Sequence, residues 1–522
     1  MTRTAAREVP AVAGSRASRY PVGVLAVGVL VALITLVPLV FVAGYTVEIG
    51  WAEGSALVFR PRVGELLWNT VRLMVGAMVA AGVLGTAAAW LVERTTLPGR
   101  RVFSVLLVAP LAIPAFVNSY AWVSLVPSAS GYGSALLIVT LSYFPFVYLP
   151  VAAALRGLDP ALEETAHSLG HGGARTFLRS TLPQLRPAIL GGCLLVGLHL
   201  LAEFGALQML RFPTFTTAIY DQYQSTFSGP AANMLAGVLV LCCLVLLVGE
   251  LRLRGRARYA RTGSGAAREP ARVRLGTATV PATVLLGALI VLAVGVPVVS
   301  LGRWLATGSS AGIDVDLLLR TTGTSVGLGL LGAAVTTVAA IPVAWLSIRH
   351  RGRLSTVVER ATYTGSALPG IVVALALVTV AIRIVPDLYQ TTALLVVGYG
   401  ILFMPRAMVS VRASLAQTPP VLEDVAHALG SGRFDTFRRV TLPLVAPGIG
   451  AGAALVFLAV VTELTATLLL APTGTMTLAT QFWSNSDSVA YAAAAPYAAV
   501  MVLISAPATY LLTRQLRRES PR

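Results

Sequence analysis

Apolar runs long enough to cross a bilayer recur along this 522-residue chain from residue 22 to residue 513, and nothing else limits its fold so severely. A hydrocarbon core of about 30 Å takes roughly 20 residues as helix, since each residue rises about 1.5 Å. That ruler places spans near 22–46, 69–92, 102–125, 134–155, 187–210 and 231–250. A second set falls near 278–302, 323–347, 362–382, 391–411, 447–470 and 490–513. The expected fold class is an all-α integral membrane protein of twelve transmembrane helices in two six-helix halves. The run from Val22 to Tyr45 exceeds the 7–15 apolar residues or so of a signal-peptide core and reads as an uncleaved span.

Only 12% of residues are charged, against roughly a quarter in soluble domains. The net charge is +17, and all 39 basic residues are arginine. They gather in alternate loops, which argues for membrane topology and against a nucleic-acid surface. With Arg3, Arg7, Arg16 and Arg19 on the cytoplasmic side, nearly all the arginines fall inside, and both ends of the chain are cytoplasmic. The absence of lysine excludes a GxxxxGK[ST] phosphate loop, so any ATP must be bound by another chain. Cys193, Cys242 and Cys243 all lie in apolar runs and read as small buried hydrophobes.

The chain divides into a cytoplasmic tail (1–21), a first six-span half (22–250), a linker (251–277), a second half (278–513) and a cytoplasmic tail (514–522). The linker carries eight arginines, glycine and alanine, and is expected to be flexible and cytoplasmic. The halves repeat. A shift of 260 residues pairs Pro187 with Pro447 and Glu203 with Glu463; a shift of 255 pairs Ala89-Trp90-Leu91 with Ala344-Trp345-Leu346. Repeats of equal span number and orientation imply an approximate two-fold axis along the membrane normal, with a pathway between the halves.

One polar island is written twice. The first copy runs from Pro160 through Glu163, Glu164, Ala166 and Gly170 to Thr181-Leu182-Pro183; the second runs from Pro420 through Glu423, Asp424, Ala426 and Gly430 to Thr441-Leu442-Pro443. Asp159 and Pro160 suit a helix start, and acids in the first turn favour the helix dipole. Gly170 and Gly430 suit a left-handed C-terminal cap. A second short helix from Ala174 to Leu182 would then be ended by Pro183. The expectation is a short helix across the end of the bundle, able to transmit force if it docks into a partner.

The pattern Glu-x-Ala-x-x-x-Gly followed by a later Leu-Pro resembles the signature loop of ABC-importer permeases. Here it reads Glu164-Thr-Ala166…Gly170…Leu182-Pro183 and Asp424-Val-Ala426…Gly430…Leu442-Pro443, with Thr165 or Val425 at the first alanine and Asp424 for glutamate. The resemblance implies the type I importer permease fold and coupling helices that dock on two cytosolic ATPase subunits. It also implies an extracytoplasmic substrate-binding protein and a cell-membrane location. Two copies in one chain look like the ferric-iron uptake permeases, with thiamine permeases as close relatives. Glu463-Leu-Thr-Ala-Thr-Leu-Leu-Leu470 and Pro213-Thr-Phe-Thr-Thr-Ala-Ile-Tyr220 resemble segments of the iron branch.

Glu203 and Glu463 lie in equivalent spans. An intramembrane carboxylate faces the bundle interior, so the pair either lines a pathway for cationic cargo or makes interhelical hydrogen bonds. Phe215, Tyr220, Tyr223 and Phe227 mark an outer gate, a docking face or an aromatic interface belt. His167 and His171 are four apart, but Gly170 intervenes and no third ligand is evident, so no metal site is expected. No catalytic constellation stands out, and no cofactor is expected. A twelve-span secondary transporter is the rival from another class; its Gly-x-x-x-Asp signature is missing from the loop Glu93–Arg101.

Overall fold

A computed structural model of the chain describes residues 22–158, 161–224, 229–254, 272–308, 312–350, 352–365 and 368–518. The N-terminal tail, Asp159, Pro160, Phe227 and most of the linker lie outside the described residues. Leaving single turns aside, the helices form two sets of ten. The first set is α1 (Val22–Val58), α2 (Pro61–Arg94), α3 (Arg100–Leu106), α4 (Ala115–Leu125), α5 (Gly131–Gly157), α6 (Ala161–Ser168), α7 (Leu182–Ala202), α8 (Gly205–Met209), α9 (Phe215–Gln224) and α10 (Gly229–Arg254). The second is α11 (Gly276–Thr307), α12 (Val315–Arg349), α13 (Arg353–Thr364), α14 (Gly370–Ile384), α15 (Thr392–Gln417), α16 (Pro420–Ala428), α17 (Leu442–Val461), α18 (Thr465–Leu470), α19 (Leu478–Asp487) and α20 (Tyr491–Arg518). Each helix of the first set has its counterpart ten places later.

Ten helices among the described residues are long and apolar enough to cross a membrane, or eleven if the bent pair Arg100–Ala112 and Ala115–Leu125 is one span. That pair turns by 92°, so the span expected at 102–125 is broken rather than straight. Its counterpart, expected at 362–382, is likewise divided into α13 and the 15-residue α14. Pro114 and Pro369 sit at the breaks, each just before a helix in which the chain restarts. The residue before a proline is pushed away from helical geometry, which favours a break there.

Helices α2, α5 and α7 pack together in the first half, and α12, α15 and α17 repeat the arrangement in the second. The opening helices cross over. Helix α1 packs on α12, α13 and α14 of the second half, while α11 packs on α4 of the first. The Thr35 hydroxyl of α1, which donates to its own Ala32 carbonyl (2.8 Å), lies 3.4 Å from the Ala361 carbonyl of α13, and the hydroxyls of Ser124 on α4 and Ser300 on α11 lie 2.9 Å apart. Val31, Ala32 and Val42 of α1 therefore belong to the same apolar core as α12, α14 and α15, and Leu286, Leu289 and Ala293 of α11 to the core of the first half. A third cluster joins the halves through Phe116, Phe204, Leu464, Phe482 and Trp483.

Small residues set the closest helix approaches. A Cβ on Gly192 of α7 would stand 2.7 Å from the Val147 Cα of α5, and one on Gly85 of α2 would stand 2.9 Å from the Tyr148 nitrogen. Helix association in membranes depends on such packing, because lipid tails are as apolar as leucine.

Candidate functional site

The two polar islands fold alike. Gly170 and Gly430 adopt φ of 79° and 88°. The His171 amide donates to the Ala166 carbonyl (3.1 Å) and the Gly170 amide to that of His167 (2.9 Å); Ser431 to Ala426 and Gly430 to His427 repeat both bonds at 3.0 Å. This is the Schellman closure, which satisfies carbonyls left over at a helix end. His167 Nδ1 lies 3.1 Å from the His171 carbonyl and His427 Nδ1 3.0 Å from that of Ser431, so each histidine braces its own elbow.

Beyond the elbow, a turn (Gly173–Thr176) and a π-turn (Phe177–Thr181) run straight into α7. Pro183 and Pro443 thus do not end a second short helix; they sit in the first turn of α7 and α17. A proline has no amide for the carbonyl four residues back and crowds it, and the widened turn accommodates the ring.

The neighbouring acids of each copy face opposite ways. Glu163 accepts a hydrogen bond from Thr181 (2.7 Å) and pairs with Arg94 at the end of α2 (3.3 Å). Glu423 accepts from Thr441 (3.1 Å) and pairs with Arg349 at the end of α12 (2.8 Å). Arg349 also donates to the Thr418 carbonyl (3.1 Å). The arginine side chains are only 4% and 9% exposed, so these are inward anchors that fix α6 and α16 to the second span of each half. Glu164 and Asp424 are exposed. Beside them stand bare apolar side chains: Leu169 (72% exposed) and Leu178 in the first copy, Leu429 (81%), Val425 and Phe434 (74%) in the second. Ala166 is half-buried and Ala426 buried, beneath this face.

Sequence reasoning passed over Arg94, Arg349 and the outward leucines. A signal existed for the arginines: the 255-residue shift that aligns Trp90 with Trp345 also aligns Arg94 with Arg349. Val273, at the end of the linker, pairs its backbone with Arg94 and Thr96 (2.8 and 3.1 Å), bringing the linker to the same side as the first anchor.

At the other end of α7 and α17, both glutamates mark breaks. The spans expected to continue through 187–210 and 447–470 stop at Ala202 and Val461 and restart as α8 and α18. Glu203 Oε1 accepts the Ala206 amide (2.9 Å), and Glu463 Oε1 accepts that of Ala466 (2.8 Å). Each carboxylate thereby caps the short helix after it, which offsets the amides a break leaves open. Tyr143 of α5 donates its hydroxyl to Glu203 Oε2. The Tyr399 and Thr467 hydroxyls lie 2.8 Å apart near Glu463. The two breaks abut: a Cβ on Gly205 would stand 2.9 Å from Leu464 Cδ2. Glu463 lies in the electrostatic field of Glu203 and of Arg406. His199 stacks on Phe146 with ring centres 4.2 Å apart.

Phe204, beside Glu203, contacts Tyr220 of α9 (4.4 Å) and Trp483 of α19 (5.2 Å), closing an aromatic cover across the halves. Tyr223 is half-buried. Phe215 is fully buried, its amide directed at the Thr70 hydroxyl (3.3 Å), so it is a core residue and presents no surface to a gate or partner. Toward the polar-island end of the helices, a cavity of about 500 Å³ opens between α5 and α7, lined by Pro150, Ala153, Gly157, Pro187, Gly191 and Leu195.

Residues 81–258 and 336–520 each match the family model of binding-protein-dependent transport system inner membrane components. The chain is 39% identical over 490 residues to the Fe(3+)-transport system permease protein FbpB 2 of Haemophilus influenzae, covering 93% of this chain and 97% of that protein. It is 30% identical over 247 residues to the sulfate transport system permease protein CysT of Salmonella typhimurium, covering 43% of this chain and 89% of the relative. CysW of Escherichia coli, also a sulfate transport system permease protein, is 25% identical over 262 residues, with 45% and 90% covered.

Proposed function

The chain belongs to the family of binding-protein-dependent transport system inner membrane components, and from that premise we propose that it forms the translocation pathway of an ATP-driven importer of ferric iron. It is a multi-pass membrane permease and not itself an enzyme. In this reading both ends of the chain are cytoplasmic. Two cytosolic ATPase subunits grip the exposed faces of α6 and α16 through Glu164, Leu169, Asp424 and Leu429. Glu163 and Glu423 pass the resulting force to α2 and α12 through Arg94 and Arg349. An external binding protein delivers cargo to the mouth above Tyr220 and Trp483. The halves 22–250 and 278–513 rock against each other about the axis, and the partner drives them only through its different affinity for the two states.

The observation that carries the cargo assignment is the pair of carboxylates, Glu203 and Glu463, at abutting helix breaks between the halves. Glutamate and tyrosine oxygens are hard donors suited to a highly charged cation, and two carboxylates repel sulfate. The test is ATP hydrolysis by the permease–ATPase complex in nanodiscs, with binding protein loaded with iron or left empty. Iron-loaded protein raises turnover; equal turnover with thiamine- or sulfate-loaded counterparts alone would redirect the cargo assignment.

A further inference from the structure

Arg406 is a charge the coupling scheme does not use. It lies within the apolar helix α15, immediately after Pro405, and is exposed at the helix surface, whereas Pro405 and Ala407 on either side of it are buried. Counted back from the coupling helix, its counterpart in the first half is Phe146, which also follows a proline, Pro145. The two halves therefore differ at one equivalent place: a ring in the first, a guanidinium in the second. Phe146 covers His199, and Arg406 acts electrostatically on the same His199 and on Glu463. Its guanidinium lies over the Phe403 ring at 5.1 Å, and Phe403 stacks in turn on Tyr399, whose hydroxyl meets that of Thr467 near Glu463. An arginine within a membrane span is expected to face a partner or a water-filled pathway, and Arg406 has the Phe403 ring against it and Glu463 within its electrostatic reach.

We propose that Arg406 is a tethered counter-cation that sets a charge threshold for cargo at Glu203 and Glu463. With the guanidinium present, the empty site holds two negative charges and one positive. A cation entering the pair gains attraction in proportion to its own charge, whereas displacing the guanidinium carries a fixed cost. A trivalent ion overcomes that cost where a monovalent or divalent ion of similar size does not. The long, stacked side chain swings aside by rotation about its own torsions, and no covalent step is involved.

This inference rests on the ferric-iron reading. The experiment uses the complete transporter in proteoliposomes, comparing uptake of Fe(III) with uptake of Mn(II) and Zn(II). The Arg406→Gln variant is expected to lower the preference for iron over manganese by about tenfold, the size of effect expected when one nearby charge is removed. Arg406→Lys, which keeps the charge, restores most of that preference. Arg406→Met, which keeps length and packing on Phe403, behaves as Arg406→Gln and serves if the latter fails to assemble with the ATPase. Unchanged selectivity in the Gln and Met variants would overturn the proposal, as would a Lys variant as unselective as Gln. A wild-type transporter that moves thiamine or sulfate but no iron would defeat the ferric-iron reading itself and this inference with it.

Discussion

At the scale of single residues, the acids Glu163 and Glu164 stand next to each other and face opposite ways, Glu163 paired with Arg94 and Glu164 exposed. Breaking a largely buried ion pair by removing one partner costs about 3 kcal/mol, because the other charge stays behind unpaired. Glu163→Ala or Glu423→Ala is therefore expected to lower the melting temperature and to speed hydrogen exchange across α6 or α16. Glu164→Ala combined with Asp424→Ala is expected to leave the melt unchanged and to weaken capture of the ATPase in pull-downs. Equal effects from the two pairs would contradict the division of labour. The sequence placed four acids in two first helical turns, yet could not tell which of each pair turns inward. That depends on the helix's rotation against α2, whose Arg94 is far away in the chain. The elbow was legible for the opposite reason: Gly170 and Gly430 are local, and a positive φ is chemically cheap only for glycine.

At the scale of elements, the long apolar helices were legible as runs, and their interruptions were not. Leu200, Leu201 and Phe204 are buried on either side of the break at Glu203, so the hydrophobic pattern reads straight through it. The break exists because a carboxylate replaces the lost backbone acceptors, a tertiary detail with no periodic signature. Replacing both Glu203 and Glu463 by glutamine keeps an oxygen for the Ala206 and Ala466 amides but removes the charge. The expected result is a protein within about 1 kcal/mol of wild-type stability, the scale of a helix cap, with iron uptake lost. Normal uptake would remove the pair from the pathway. The α5–α7 contact gives a second check. Gly192→Val forces side-chain atoms against the Val147 backbone and is expected to destabilise by about 2 kcal/mol, read from thermal melts in detergent.

At the scale of the whole molecule, the duplication was plain in the sequence, whereas the exchange of opening helices was not, since nothing in α1 names the helices it packs against. Each core contains the other half's first helix, so neither half is complete alone. Cutting the chain within the linker and expressing one half is expected to give rapid degradation, while co-expression of both halves restores an assembled protein, measured by pulse-chase and co-purification. A stable solitary half would contradict the crossed packing. In the proposed mechanism, α6 and α16 of this one chain convert ATP hydrolysis elsewhere into movement of ferric iron between Glu203 and Glu463. Its most direct test is radioactive iron uptake into proteoliposomes holding the chain, its ATPase and its binding protein. Uptake is expected to require ATP and to be lost when Glu164 and Asp424 are both replaced by arginine; uptake by the chain alone, driven by an ion gradient, would contradict the mechanism.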